Sequence, residues 1–324
     1  MPDTSSSNNS KIDGLLKHKP VERRSFLKAV AAAAGAMTVL PTKKTDAFSG
    51  IFPNKKNKKA AAFTWEKFFQ KYYKEMTPEY KQKVFERIIK ETKENYGVDI
   101  TMSDPRPIPG VKFVYFLNLS KCNGNRRCVT ACQKENNLDR SKAWITVLEM
   151  ENGGFEFEKS DRHYTGIVPK DGKFYLPVQC QQCDNPPCVK VCPTEATWKE
   201  ADGIVVIDYD WCIGCRYCQA ACPYEARKFN WRTPEIPKDE INPNQSYLGN
   251  RIRPRGTIEK CHFCSHRTRV GKYPACLEAC PTGARKFGNI LDPDSEVSKI
   301  FKTKTLFVLK EELNTIPSFF YYFD

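Results

Sequence analysis

Cysteine is the residue whose number and spacing in this chain can do chemistry. There are fifteen in 324 residues, arranged in four groups. The first is Cys122-Asn-Gly-Asn125-Arg-Arg-Cys128-Val-Thr-Ala-Cys132, and the second is Cys180-Gln-Gln-Cys183-Asp-Asn-Pro-Pro-Cys188-Val-Lys-Val-Cys192-Pro193. The third is Cys212-Ile-Gly-Cys215-Arg-Tyr-Cys218-Gln-Ala-Ala-Cys222-Pro223. The fourth opens as Cys261-His-Phe-Cys264 and, eleven residues later, closes as Cys276-Leu-Glu-Ala-Cys280-Pro281. Three closely spaced thiolates can wrap three corners of an iron–sulfur cubane, because each two-residue gap turns the chain around the inorganic core. Backbone N–H groups in such a loop point at the sulfides and lower the cost of burying negative charge. The cysteine just before proline then serves the other cluster of a pair.

Two other uses of cysteine fit less well. Zinc ribbons use pairs of Cys-x-x-Cys, not three cysteines in seven residues followed by Cys-Pro. Disulfides leave an odd cysteine out of fifteen, and Cys-x-x-Cys spacing strains a structural bridge. His262 and His266 sit in the fourth group, which is complete without them, and they read as ordinary packed histidines.

The elements that position these groups are short. From Phe63 to Gly97 the pattern is helical, with Thr64 and Thr77 as N-caps, Pro78 at a first helical position and Gly97 as a stop. Tyr80, Val84, Phe85, Ile88 and Ile89 recur at helical spacing on one face, which is expected to pack on the cluster domain, with a dedicated docking arm as the alternative. Ala143–Glu149, Phe155–Glu158 and Lys173–Val178 alternate as short strands. The stretch from Tyr224 to Lys260 is rich in proline and asparagine and carries Arg251, Arg253 and Arg255, so it is a candidate partner surface. The tail Ser318-Phe-Phe-Tyr-Tyr-Phe-Asp324 is too aromatic to sit in water and is expected to pack along its own chain, with another subunit as the alternative.

The first residues address the compartment. Arg23-Arg24-Ser25-Phe26-Leu27-Lys28 precedes an apolar run from Ala29 to Leu40 and then Pro41, the order of a twin-arginine export signal. The run is too short to span a membrane. The rival reading is a basic turn before a buried alanine-rich helix. Lys43 and Lys44 disfavour the export route for unfolded chains, and Thr45-Asp46-Ala47 is a weak cleavage match that leaves an uncleaved anchor open. Residues 1–47 carry eight basic and four acidic side chains, so their removal lowers the formal charge from +14 to +10. Each bound cluster with its thiolates would contribute roughly −2. The basic composition is therefore no pointer to nucleic acid, and the Lys55-Lys56 and Lys58-Lys59 run reads as a solvated linker.

From about Val111 to the end, the chain resembles the four-cluster iron–sulfur subunits of dimethyl-sulfoxide, polysulfide, tetrathionate and formate-type respiratory oxidoreductases. The Cys-Ile-Gly-Cys-Arg-Tyr-Cys and Ala-Cys-Pro-Tyr runs of the third group carry the likeness. The resemblance implies an α+β fold of two interleaved bacterial-ferredoxin-like modules, one inserted in the other, with a small helical N-terminal extension. The expected organisation is a signal segment (1–47), a basic linker and helical extension (48–110), a double ferredoxin-like four-cluster domain (111–290) and a packed tail (291–324). Carried over by position, the first cluster takes Cys122, Cys128 and Cys280. The second takes Cys132, Cys261, Cys264 and Cys276. The third takes Cys180, Cys183, Cys188 and Cys222, and the fourth takes Cys192, Cys212, Cys215 and Cys218.

Asn125 stands where that pattern has a cysteine. A neutral amide is a poor ligand for thiophilic iron, so the reading is three [4Fe–4S] clusters and one [3Fe–4S]. The alternative is a fourth [4Fe–4S] with a solvent or side-chain ligand. The implied role is an exported, membrane-associated electron-transfer subunit with no catalytic residues of its own, on the periplasmic side. It would lie between a catalytic subunit, of molybdopterin type, and a quinone-reactive membrane subunit or cytochrome. In the related subunits the first cluster faces the catalytic partner. Two rivals stand: a self-contained redox enzyme using the open site near Asn125, and the relay subunit of a hydrogenase.

Overall fold

The computed structural model describes residues 77–324. The export signal, the basic run and the expected helix from Phe63 to Met76 lie outside the described residues. The first described element is helix α1 (Pro78–Tyr96). Thr77 Oγ1 accepts from Tyr80 N at 3.2 Å, Pro78 takes the first turn, and Gly97 ends the helix in the left-handed region. Those caps satisfy backbone groups that the helix ends would leave unpaired. Ile88 and Thr92 are buried, and Phe85 packs on Tyr247 with ring centroids 5.9 Å apart. Tyr80, counted in the same apolar face, stays 45% exposed because it lies in the first turn, short of the body that the face covers.

Strand β1 (Thr101–Ser103) leads to β2 (Phe113–Asn118), where every residue is buried. Helix α2 (Arg127–Glu135) follows the first cysteine loop. A hairpin of β3 (Thr146–Glu151) and β4 (Lys173–Val178) pairs Leu148 with Leu176. The expected strand Phe155–Glu158 does not form. After Gly153-Gly154 the chain closes a single 3-10 turn, with Lys159 N donating to Glu156 O at 3.1 Å and Ser160 N to Phe157 O at 3.2 Å. Phe155 instead packs edge-on against Phe174 and Phe307, so apolar packing overrides the local alternation.

The second group spans α3 (Pro187–Lys190), which contains Cys188, and β5 (Thr197–Lys199) with β6 (Val205–Ile207) forms the next hairpin. The third group leads into α4 (Tyr217–Ala220) and β7 (Lys228–Phe229). Then come β8 (Asn244–Ser246), which pairs with β1, and β9 (Ile258–Glu259), which pairs with β7. The fourth group carries α5 (Ser265–Thr268) and α6 (Ala275–Glu278), followed by β10 (Arg285–Asn289), α7 (Glu296–Thr303) and β11 (Phe319–Tyr322). Helix α2 packs on α6, and α3 packs on α4.

Strand β2 is central in a three-stranded sheet, antiparallel to β10 and parallel to β11. The aromatic tail therefore packs along its own chain. Phe319 stacks on Tyr115 with centroids 4.8 Å apart and planes 3° apart, both fully buried. Burying a side chain of that size stabilises the fold by about 1.5–3 kcal/mol, and the ring pair adds about 0.5–1.5 kcal/mol.

The loop from Tyr224 to Lys260 corrects the sequence reading. Arg251 and Arg253 are internal, 2% and 0% exposed, so they are not a partner surface. Arg251 lies over Tyr247 and 3.4 Å from Asp210, while Arg253 lies over Trp144 and 3.5 Å from Glu259. A buried guanidinium needs both an acid and a flat polarisable face, and distant segments supply them. Arg255 alone of the three is exposed. Among the described residues no helix is long and apolar enough to cross a membrane.

Candidate iron–sulfur centres

The first and third cysteine loops share one backbone design. In Cys122-Asn-Gly124-Asn125-Arg126 and Cys212-Ile-Gly214-Cys215-Arg216, the glycine has φ +73° and the arginine φ 57° and 66° respectively. Each arginine then begins a helix, α2 or α4. The left-handed glycine is required because a Cβ on Gly124 would lie 2.4 Å from the Tyr175 ring, and one on Gly214 2.2 Å from the Gly256 carbonyl oxygen. Gln182 and Phe263 take the corresponding positive φ in the second and fourth loops. Such turns aim successive N–H groups inward, as an anionic core requires.

The cysteines come together in sets. Cys122, Cys128 and Cys280 line one opening of about 330 Å³ with Leu117, Asn125 and Arg285. Cys180, Cys183, Cys188 and Cys222 line another of about 350 Å³ with Tyr224 and Arg227. Cys132 lies near Cys261, Cys264 and Cys276, and also near Cys128 of the first opening, while Cys218 lies near Cys212 and Cys192. Cys215 stands exposed on the same loop as Cys212 and Cys218.

Burial and mutual repulsion raise the thiol pKa of Cys132, Cys183, Cys261 and Cys264 among others. Cys183 is pushed up to about 12 by burial and then by Cys180, and Cys218 to about 11 by burial against the pull of Arg227. Cys280 goes the other way, because Thr282 and neighbouring backbone N–H groups outweigh its burial. Thiols held mostly protonated must lose their protons to solvent as they bind a metal core, which links cluster loading to proton release. All fifteen cysteines are free of disulfides. Among the described residues no three His, Cys, Asp or Glu side chains close on a single ion. The two thiol-lined openings have room for a polyatomic core.

Comparison with known proteins agrees. A 4Fe-4S dicluster domain matches residues 172–245 and 247–290. A selenate reductase subunit from Mesobacillus selenatarsenatis is 39% identical over 234 residues, 69% of this chain and 76% of that one. The iron–sulfur cluster-binding subunit of a menaquinone reductase from Nitratidesulfovibrio vulgaris is 38% identical, over 65% of this chain and 88% of its own. The arsenate respiratory reductase iron–sulfur subunit of Shewanella is 36% identical, over 63% and 93% respectively. The chain belongs to the iron–sulfur electron-transfer subunits of respiratory reductases.

As an iron–sulfur subunit it places further residues against its sulfur atoms. Tyr115 Oη lies 3.3 Å from Cys276 Sγ, and Gln179 Nε2 lies 3.8 Å from Cys261 Sγ. Arg285 Nη2 donates to Cys128 Sγ at 3.4 Å, and Arg227 Nη2 to Cys188 Sγ at 3.0 Å. Arg227 Nε and Nη1 are buried with no hydrogen-bond partner. Those spare donors, beside a thiol-lined opening, fit a core bearing acceptor sulfides. Sequence reading missed these four residues. The only signal was the recurrence of Ala-Arg in Cys222-Pro-Tyr-Glu-Ala226-Arg227 and Cys280-Pro-Thr-Gly-Ala284-Arg285.

The histidines of the fourth group contact no sulfur. His262 Nδ1 accepts from Ser265 N at 3.1 Å, and His266 pairs with Glu135 at 2.7 Å. Asn125 is engaged locally: its Oδ1 accepts from Arg127 N at 2.9 Å, and its Nδ2 donates to Asn123 Oδ1 at 2.5 Å.

Proposed function

We propose that this subunit relays single electrons along four clusters held by the thiol sets named above. The relay joins a catalytic subunit, of molybdopterin type, to a quinone-reactive membrane subunit or cytochrome. Iron–sulfur clusters supply reversible one-electron storage when bound. The residues of this chain hold, space and polarise them.

The observation that carries the reading is that the four sets meet end to end. Arg285 links Cys128 to Cys276. Cys261 and Cys180 lie close enough for their thiolates to repel, and the Arg227 charge acts on both Cys188 and Cys218. The packing of α2 on α6 and of α3 on α4 supports two modules, with residues of the second and third groups inserted between the first and fourth. On this reading residues 111–290 form the double module, 48–110 the linker and helical extension, and 291–324 the packed tail.

At the first set, three cysteines and Asn125 support a [3Fe–4S] cluster beside three [4Fe–4S] clusters. The Asn125 carbonyl oxygen accepts from Arg127 N at the start of α2, and a neutral amide is a poor substitute for a thiolate on thiophilic iron. The twin-arginine pattern at Arg23-Arg24 supports export of the folded, loaded chain to the periplasmic side. The relatives named as selenate, menaquinone and arsenate reductase subunits support assembly with catalytic and membrane partners.

Pull-down of the tagged full chain from membranes tests the assembly. The expected result is co-purification of a large cofactor-bearing subunit with a membrane subunit or cytochrome. Substrate-dependent turnover by the chain alone, with no co-purifying subunit, would overturn it.

A further inference from the structure

Two arginines that no ligand pattern requires lie inside the cysteine array. Each is the fifth residue after the last cysteine of its group, in Cys222-Pro-Tyr-Glu-Ala-Arg227 and Cys280-Pro-Thr-Gly-Ala-Arg285. They are 2% and 3% exposed. A guanidinium at that depth requires compensating partners, and these include sulfur. Arg285 donates to Cys128 Sγ at 3.4 Å, Cys276 Sγ at 3.9 Å, Tyr115 Oη at 3.4 Å and Gln179 Oε1 at 3.0 Å. Arg227 donates to Cys188 Sγ and to Thr197 Oγ1, both at 3.0 Å. After the second group the same pattern, Cys192-Pro-Thr-Glu-Ala-Thr197, ends in threonine. Thr197 is the residue that receives Arg227. The Arg227 charge also acts on Cys218 of the third group, so one cation faces two groups.

The middle junction is built differently. Gln179, a neutral amide, contacts Cys261 there. The nearby buried ammonium of Lys260 is turned to the carbonyl oxygens of Val205 and Cys261, not to sulfur.

We propose that Arg285 and Arg227 set cluster potentials, each as one fixed positive charge shared by two adjacent clusters. Arg285 serves the pair held by the first and fourth cysteine groups, and Arg227 the pair held by the second and third. The inference rests on the four-cluster reading above. An electron added to a cluster increases its negative charge, and a buried cation beside it stabilises that reduced form. In each transfer one cluster loses one electron as its neighbour gains one, with no bond made or broken. A charge shared by both members raises both potentials and leaves the difference between them little changed. It also offsets repulsion between electrons on neighbouring clusters. Because arginine does not titrate, the effect does not depend on pH.

The test is a redox titration of the purified full chain with dithionite and ferricyanide, followed by electron paramagnetic resonance, on Arg285→Gln and Arg227→Gln. Arg285→Gln is expected to shift the reduction equilibria of the first/fourth-group pair at least tenfold toward the oxidised form, 59 mV per one-electron couple. The other pair stays at wild-type values, and Arg227→Gln gives the mirror pattern. Both shifts are the same at about pH 6 and about pH 9, since no arginine titrates there. Equal shifts of all four clusters, or none, in variants with wild-type iron content would overturn the proposal. If the glutamine variants lose iron, Arg285→Lys and Arg227→Lys decide. Wild-type potentials support a charge effect, and a tenfold shift with the charge retained refutes it. A wild-type chain that binds no clusters would overturn the four-cluster reading instead.

Discussion

Replacing Gly214 by alanine isolates the cost of the turn that wraps the third cysteine group. Gly214 has φ +73°, and a Cβ there would sit 2.2 Å from the Gly256 carbonyl oxygen and 3.0 Å from the Phe229 ring. The left-handed backbone alone costs alanine about 1–2 kcal/mol. The obstacle is backbone and cannot swing aside, so overpacking adds about 1–3 kcal/mol. Gly110 provides the control: φ is +74°, yet nothing lies within 4 Å of its Cβ position. Gly110→Ala should therefore show the strain without the overlap. Thermal unfolding of the full chain followed by circular dichroism should fall by roughly 5–15 °C for Gly214→Ala, and by about a third of that for Gly110→Ala. Iron analysis should show loss from the Gly214 variant only. Equal midpoints and equal iron in the two variants would refute the view that this loop is shaped by close approach to Gly256.

Three further outcomes follow from the same contacts. Arg269 is 2% exposed at its side chain and pairs with Asp202 at 2.7 Å and with Glu200. Arg269→Met strands two buried carboxylates and should lower stability by about 3–5 kcal/mol, read by thermal unfolding. Burial pushes the Asp139 carboxyl up, but Ser141, the Glu235 and Ser141 amides and Arg232 together hold it at about 2, below its usual 3.8. That depressed value stabilises the fold above pH 3.8 and is lost as pH falls through about 2. Asp139→Asn should therefore cost about 2 kcal/mol near neutral pH, with the gap to wild type closing in acid, in unfolding measured across pH. Asn125→Cys should supply the absent thiolate and add about one iron per chain, while losing the Arg127 N–H contact at the start of α2. Iron analysis and cluster spectra of that variant check both effects.

What the sequence made legible was local. Ligand spacing is set by the reach of a few residues around a core, so the two thiol-lined openings, with Cys122, Cys128 and Cys280 and with Cys180, Cys183, Cys188 and Cys222, match what the family likeness implied. The caps at Thr77 and Gly97 were readable for the same reason, and the aromatic tail was readable because a run so rich in aromatic rings cannot remain in water. The errors were long-range. Arg251 and Arg253 looked like surface charge because the rings and acids that bury them, Trp144, Tyr247, Asp210 and Glu259, come from separate segments. Phe155–Glu158 alternated like a strand, but Phe155 found partners in β4 and near Phe307 before its backbone found a strand partner. Arg227 and Arg285 carry no ligand signature, since a cation that polarises sulfur is invisible to cysteine counting. Their repeated place after Cys-Pro was the usable trace.

The proposed three-iron cluster beside Asn125 is the most specific part of the functional reading, and it is directly measurable. Electron paramagnetic resonance of the protein as isolated, combined with iron and sulfide analysis, examines it without any variant. The expected result is the signal of an oxidised three-iron cluster and about fifteen irons per chain. About sixteen irons with no such signal would contradict it.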